Sequence, residues 1–286
     1  MENEMLGIVF ALLCMVITAV NDFVFKLFAR KERSKGIFCA IIGLFWLTAL
    51  SWTLKGNGKI NWETTLIWGA VSGFLSAGGN LLLIESMSRQ SVGLCSLVYR
   101  LNMVPVVIGA GLFLDEKPSI IQYIGVLAAL GAILLFQWGS SRDGKAKWAM
   151  RATLIVGVAA VMRAGMGLSY KYGFSHGADK NLVPLINSLF WILGGLLYAV
   201  IRERKLLKGD WKLAGYGAGS GILVAAIVFF MAGSLYYGKA AVVLPIAQMS
   251  FIGTFILGTV FLKERFSAAH IPAMLCGIAA VILLSL

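Results

Sequence analysis

The chain has 286 residues, 59% of them apolar or aromatic and only 13% charged, with a mean hydropathy of +0.85. A soluble domain covers its surface with about a quarter charged residues, so this composition excludes a soluble globular protein, and its apolar content excludes an intrinsically disordered one. The net charge of +12 sits mainly in short connectors between apolar runs, which reads as a membrane-surface signal rather than a nucleic-acid footprint, and no nucleic-acid partner is expected.

A helix needs about 20 apolar residues to cross a bilayer core, and ten segments reach that length. The first, 5–26, follows Glu2 and Glu4 with no Lys or Arg, unlike the basic start of a cleaved secretory signal, and is expected to stay. It carries Asp22 and Lys26 near its end. The second, 36–54, holds Trp46 near its middle and stops at Lys55-Gly56-Asn57-Gly58. The third, 63–86, contains Gly69, Gly73 and Ala77 at four-residue spacing, which lets helix backbones approach closely, and ends with Glu85. The fourth, 91–114, carries Tyr99, Arg100 and Asn102 and leads to Glu116. The fifth, 118–138, opens with Pro118 and the pair Ser119 and Gln122, the spacing of a capping box, and ends at Ser140-Ser141-Arg142-Asp143-Gly144.

The sixth segment, 148–170, has Arg163 near its middle, and the seventh, 181–201, has Asn187 one turn from Trp191. After Lys208-Gly209-Asp210, the eighth, 212–236, repeats the small-residue ladder as Gly217, Gly221 and Ala225. The ninth, 240–262, carries Gln248 and leads to Glu264, and the tenth, 267–285, opens at Ser267. These runs are too long and too continuous for barrel strands. No connector is long enough to fold alone, so all chemistry must lie within the membrane or at its faces, and there is no soluble nucleotide-binding domain to drive a pump. Cys14, Cys39, Cys95 and Cys276 show neither paired nor metal-ligand spacing. His176 and His270 are the two histidines, with no HExxH, no GxSxG and no clustered carboxylates, so neither an enzyme nor a cofactor or metal site is expected.

Sliding the second half over the first exposes a repeat. Trp68 to Leu75 matches Tyr216 to Leu223 at an offset of 148, and the same offset lays Phe113-Leu114-Asp115-Glu116-Lys117-Pro118-Ser119 on Phe261-Leu262-Lys263-Glu264-Arg265-Phe266-Ser267. Earlier in each half the offset is 145, pairing Lys26 with Lys171 and Leu44-Phe45-Trp46 with Leu189-Phe190-Trp191. The expectation is an all-α integral membrane protein of ten transmembrane helices in two five-helix units, 1–138 and 148–286, joined by 139–147. Five spans is an odd number, so the second unit must enter the membrane from the opposite side, and the repeats are inverted.

Ten helices, a duplicated five-helix unit, and in each half a Glu-containing turn followed by Ser and a Gly/Ala-rich last helix resemble the drug/metabolite transporter superfamily, and within it the EamA-like ten-helix transporters. The likeness covers essentially the whole chain and is most specific over 113–135 and 261–284. It implies a multi-pass carrier of small metabolites in a bacterial-type inner or plasma membrane, with membrane lipid around it and substrate held between the two halves. The chain departs from a duplicated pattern at His270, where the first unit has Gln122.

With the N-terminus outside, cytoplasmic connectors collect 17 of the 25 Lys and Arg and the other face 6, with Arg100 and Arg163 within the spans. The positive-inside rule therefore favours both termini outside, whereas relatives of this fold are commonly drawn with both inside; the charge count decides the expectation here.

An arginine near a span centre costs at least about 2.5 to 3.5 kcal/mol on insertion scales. Arg163 and Arg100 therefore need compensation, either from a wet cavity and an anionic substrate group that suits the planar guanidinium, or from a fixed ion pair with Glu85 or Asp22. Gln248, the mate of Arg100, together with Tyr99 and Asn102, completes a candidate polar patch, and Trp46, Trp191 and Asn187 a candidate cavity wall. Asp22, Lys26 and Glu85 are candidates for gating or coupling to protons or another ion, while Glu116 and Glu264 read as turn and capping residues. The leading function is a secondary transporter of a small anionic or zwitterionic metabolite; the alternatives are an intramembrane enzyme and a structural or signalling membrane protein. The residues leave the oligomeric state open.

Overall fold

Long apolar runs without charge can bury their backbone polar groups in a bilayer only as helices, because every N–H and C=O is then satisfied within its own segment. The computed structural model describes residues 2–51, 60–113, 119–141, 146–179, 181–204, 211–237, 246–264 and 270–286, and among them it contains no strand. The helices are α1 (Glu2–Ala29), α2 (Lys35–Leu50), α3 (Trp62–Met87), α4 (Val92–Arg100), α5 (Met103–Phe113), α6 (Ile120–Ser141), α7 (Ala146–Ser175), α8 (Leu182–Tyr198), α9 (Trp211–Tyr237), α10 (Ser250–Leu262) and α11 (His270–Ser285). A π turn, Ala199–Glu203, continues α8.

Six described stretches are long and apolar enough to cross a membrane: Met5–Ala29, Trp62–Met87, Val92–Gly109, Met150–Ser175, Leu182–Glu203 and Trp211–Met231. Lys35–Leu50, Ile120–Leu135, Ile246–Leu262 and His270–Leu284 are apolar but shorter. Large apolar side chains point outward all along these helices, as at Val16, Phe74, Leu127, Leu193 and Val260, which are 53 to 68% exposed. Apolar exposure on that scale belongs to a lipid-facing surface.

Several boundaries are set as the sequence predicts. Ser119 and Gln122 form the reciprocal capping box, with the Ser119 amide donating to Gln122 Oε1 at 2.9 Å and the Gln122 amide to Ser119 Oγ at 3.2 Å. Ser34, Asn61 and Ser91 cap α2, α3 and α4 by a single bond each, their side-chain oxygens accepting from the Ile37, Thr64 and Leu94 amides. Helix α6 runs on through Ser140 and Ser141, where a loop was expected. The turns at 55–58, 142–144 and 208–210, together with Glu116, Lys117, Pro118 and Ser267, lie outside the described residues.

The fourth segment departs from expectation: it is not continuous but breaks at Leu101 and Asn102 between α4 and α5. Pro105 has no N–H to give the Leu101 carbonyl, which takes the Val104 amide at 3.0 Å instead. A second break lies at Met249, whose carbonyl takes the Ile252 amide at 3.0 Å, between a short helical turn at 246–248 and α10.

At the centre α2 and α8 cross in direct contact. A methyl on Gly36 would fall 2.3 Å from the Gly195 carbonyl, and one on Gly195 2.5 Å from the Gly36 carbonyl, so both positions require glycine. Farther along the same seam Gly43 abuts Ser188, and the Trp46 and Trp191 rings meet edge to face at 5.8 Å. Helix α9 packs on α1 and α2, and α3 packs on α7 and α8. The small-residue ladders serve these contacts: Gly69 receives Ile186 and Gly73 receives Phe190, while Gly217 receives Ile41 and Gly221 receives Phe45. Helices α6 and α11 pair with each other, and α10 packs against α1 and α4.

Candidate functional site

The interior of this apolar bundle holds two groups of polar side chains. In the first, at the end of α4, the Arg100 Nη2 donates to Asp22 Oδ2 at 2.9 Å, and Ser96 Oγ donates to the same oxygen at 2.8 Å. Thr254 of α10 stands 3.5 Å from Ser96 Oγ. Asp22 is 3% and Arg100 8% exposed, so this is a buried ion pair, the compensation that an arginine at this depth requires. The Arg100 guanidinium also lies 5.6 Å from the centre of the Tyr99 ring. Asn102 turns back across the helix break and donates to the Tyr99 carbonyl at 2.7 Å. The Tyr99 hydroxyl, Asn21 Oδ1 and Arg100 Nε are buried without a hydrogen-bond partner.

The second group joins α3, α7 and α8. Asn187 donates to the Tyr170 hydroxyl at 2.5 Å and accepts from Ser72 at 2.9 Å. One turn along α8 the Trp191 indole donates to Ser76 Oγ at 2.9 Å. The Trp46 indole N–H, on the other side of the ring contact, is buried and unpartnered.

Arg163 lies on α7, the helix that carries Tyr170 and packs against α3 and α4. It is half-buried, and no carboxylate pairs with it among the described residues. Its Nη1 points at the thioether of Met166, a weak acceptor, at 3.5 Å. Gln248 is half-buried on the short turn before the break at Met249.

The remaining ionisable candidates gather at one end of the bundle, close to the basic connectors. Lys26 Nζ donates to the Met87 carbonyl at 2.7 Å and the Gln90 carbonyl at 2.5 Å, and stands 3.6 Å from Glu264. Glu264 in turn accepts from the Val92 amide at 3.2 Å, so its carboxylate caps the N-terminus of α4 as a turn residue should. Glu85 pairs with Lys35 and with Arg89, not with either buried arginine. Lys171, the repeat mate of Lys26, belongs to α7, and Glu116 lies outside the described residues.

Sequence reasoning missed Tyr170, Ser72, Ser76 and Glu203. Tyr170 was within reach, because seven residues after Arg163 it returns to the same helix face. Glu203 carried no such signal: it accepts from Ser34 Oγ at 2.5 Å and from the Lys35 amide at 2.8 Å, across a separation of more than 160 residues. The described residues hold no group of three or more His, Cys, Asp or Glu able to ligate a metal, and Cys14, Cys39, Cys95 and Cys276 are free thiols.

Comparison with known proteins adds a family and a fold. Residues 5–138 match the model of the EamA-like transporter family, which bears out the resemblance read from the sequence. No protein of curated function matches the chain. A solved structure titled only as a crystal structure of a protein superposes on 99% of this chain and 96% of its own, at 14% identity and a TM-score of 0.63, a likeness of fold. The family match over 5–138 and the apolar helices indicate an integral multi-pass membrane protein whose first half is similar to small-molecule transporters.

Proposed function

We propose that the chain is a secondary active transporter that moves a small anionic or zwitterionic metabolite by alternating access, built from two inverted five-helix units, 1–138 and 148–286. The contacts of the bundle support the duplication, because they come in pairs. Gly69 on Ile186 and Gly217 on Ile41 are the same contact under the offsets of 148 and 145, as are Gly73 on Phe190 and Gly221 on Phe45. Trp46 meets its own mate Trp191, and Gly43 its own mate Ser188, which is where a two-fold axis would pass. The helix breaks at Leu101 and Met249 are also mates, and interrupted helices in corresponding positions of two inverted halves are the usual pointer to a transporter's binding site.

The single observation that carries the substrate reading is Arg163. A guanidinium inside an apolar bundle, without a carboxylate partner, is a site for a carboxylate or phosphate group that arrives with the cargo. In this reading Tyr99, Asn187, Trp46, Trp191, Asn102 and Gln248 line the site around it, and Arg100 is held to Asp22 as its support. Lys26, bridging Glu264 and the α3–α4 turn, together with Glu85 on Lys35, forms a latch at the basic end. A proton or Na⁺ gradient supplies the driving force, with Asp22, Lys26 and Glu85 as the ionisable candidates for coupling.

The test is counterflow in proteoliposomes with a panel of labelled carboxylates, amino acids and phosphate esters, comparing the natural chain with Arg163→Gln. Uptake of an anionic member that is lost in the variant, at equal incorporation, is the expected result. Product formation without uptake would identify an intramembrane enzyme instead, and equal uptake by both proteins would discard the anion reading.

A further inference from the structure

Beyond this site the outer surface of the molecule carries a groove. Between the last two turns of α1 and the first three of α9 lies an open cavity of about 850 Å³, lined by Val24, Leu27 and Leu223 on its apolar side and by Arg30, Lys31 and Lys212 at its mouth. Its volume falls within the range of about 300 to 1,000 Å³ typical of small-molecule pockets. Gly215 and Gly219 form part of the α9 wall, and a methyl built on either meets nothing within 4 Å, so among the described residues no side chain fills this part of the groove. Arg33 closes the inner side, its guanidinium 5.0 Å above the Tyr216 ring.

We infer that this groove is a binding site for an anionic phospholipid, with the headgroup phosphate at Arg30, Lys31 and Lys212 and an acyl chain laid along Val24, Leu27, Gly219 and Leu223. The chemistry of the lining changes in the direction such a molecule requires. The connector 30–35 carries four cations against the single acid Glu32, while the helices below it present bare apolar surface, with Ile222 61% and Val20 37% exposed. Trp211, 90% exposed at the start of α9, marks the level of the interface, where indole rings concentrate. A basic mouth at the headgroup level above an apolar trough matches an amphiphile with a negative head. A soluble metabolite would have no use for the trough, and a neutral lipid none for the mouth. The inference stands apart from the transport reading, since the groove faces outward and contains no residue assigned to the central site.

The experiment is native mass spectrometry of the full-length protein, stripped in detergent and then offered phosphatidylglycerol or phosphatidylcholine with the same acyl chains. Retention of one phosphatidylglycerol per chain in preference to phosphatidylcholine is expected. Arg30→Gln with Lys31→Gln should reduce it at least about tenfold, whereas Arg202→Gln with Arg204→Gln, which removes the same charge at the same end of the bundle but off the groove, should not. Gly219→Leu keeps every charge, adds bulk to the trough at a position where a Cβ meets nothing within 4 Å, and should reduce retention as well. Equal retention of the two lipids, or equal loss in both double variants, overturns the proposal in favour of diffuse surface attraction. Displacement by inorganic phosphate with no effect of Gly219→Leu overturns it in favour of a simple ion site.

Discussion

The two buried arginines, alike in the sequence, have opposite surroundings, and they should respond oppositely to mutation. Arg163 has no carboxylate partner among the described residues, so Arg163→Gln breaks no ion pair there. Folded protein should be recovered at natural levels, while the apparent affinity for an anionic substrate falls roughly tenfold or more, the equivalent of a lost charge-assisted hydrogen bond of about 1.5 to 3 kcal/mol. Arg163→Lys should restore only part of it, since an ammonium lacks the planar fork that engages a carboxylate twice. Arg100 is the reverse case. Replacing it by Gln leaves Asp22 charged, buried and paired only with Ser96, a state that costs about 3 to 5 kcal/mol when a buried partner is removed. Thermal unfolding of Arg100→Gln in detergent should therefore fall well below that of the natural protein, and Asp22→Asn added to it should recover most of the loss. If the single variant is as stable as the natural protein, the pair does not hold the α1–α4 seam.

At the scale of the helix, the α2–α8 crossing and the opening of α6 offer independent tests. Gly195 approaches α2 so closely that any side chain must push backbone, not a flexible side chain, out of the way. Gly195→Leu should abolish monodisperse protein in size-exclusion profiles. Gly194→Leu, one residue away and 3.7 Å from only the Ala77 methyl, should be far milder. The capping box is a smaller lever. Ser119→Ala leaves the Gln122 amide without its acceptor and should cost about 1 kcal/mol. Because the two bonds are reciprocal, Gln122→Ala added to it should cost less than the sum of the two single changes.

At the scale of the whole molecule the proposed orientation rests on charge, since inverted halves would be nearly equivalent to a bilayer except in their loops. The connectors at Arg30 to Lys35 and Arg202 to Lys212 hold the densest Lys and Arg of the chain, and we propose that they are cytoplasmic. In a chain with its four native cysteines replaced, Lys31→Cys and Arg202→Cys should resist an impermeant thiol reagent in intact cells, and Asn61→Cys should be labelled. The opposite pattern would put both termini inside. The latch belongs to the same scale. Lys26→Met removes the donor that ties α1 to the Met87 and Gln90 carbonyls, so the basic end should open more readily, and labelling of a cysteine placed at Val92 in inside-out vesicles should rise.

Hydrophobic run length alone determined that this is an all-helical membrane protein, because no other backbone arrangement of such segments satisfies its own hydrogen bonds in lipid. The proposed duplication also rests on the sequence, in small residues and turns that recur at fixed offsets while the apolar residues between them are interchangeable. The capping box at Ser119 and Gln122 was readable because both partners lie within one turn. What the sequence left open are the contacts between residues far apart in the chain. Arg100 could choose Asp22 over Glu85 only once α1 and α4 were packed side by side, and Glu85 went instead to Lys35 and Arg89 at the bundle's end. The break at Leu101 was not expected from the apolar run, although Pro105 gives it a local cause; the one at Met249 has no proline at the corresponding position, Gly253. Which arginine is left for a ligand, which tryptophan keeps a bare indole N–H, and where lipid finds a groove are matters of relative helix placement, and that is decided by packing across the whole bundle rather than by any local pattern.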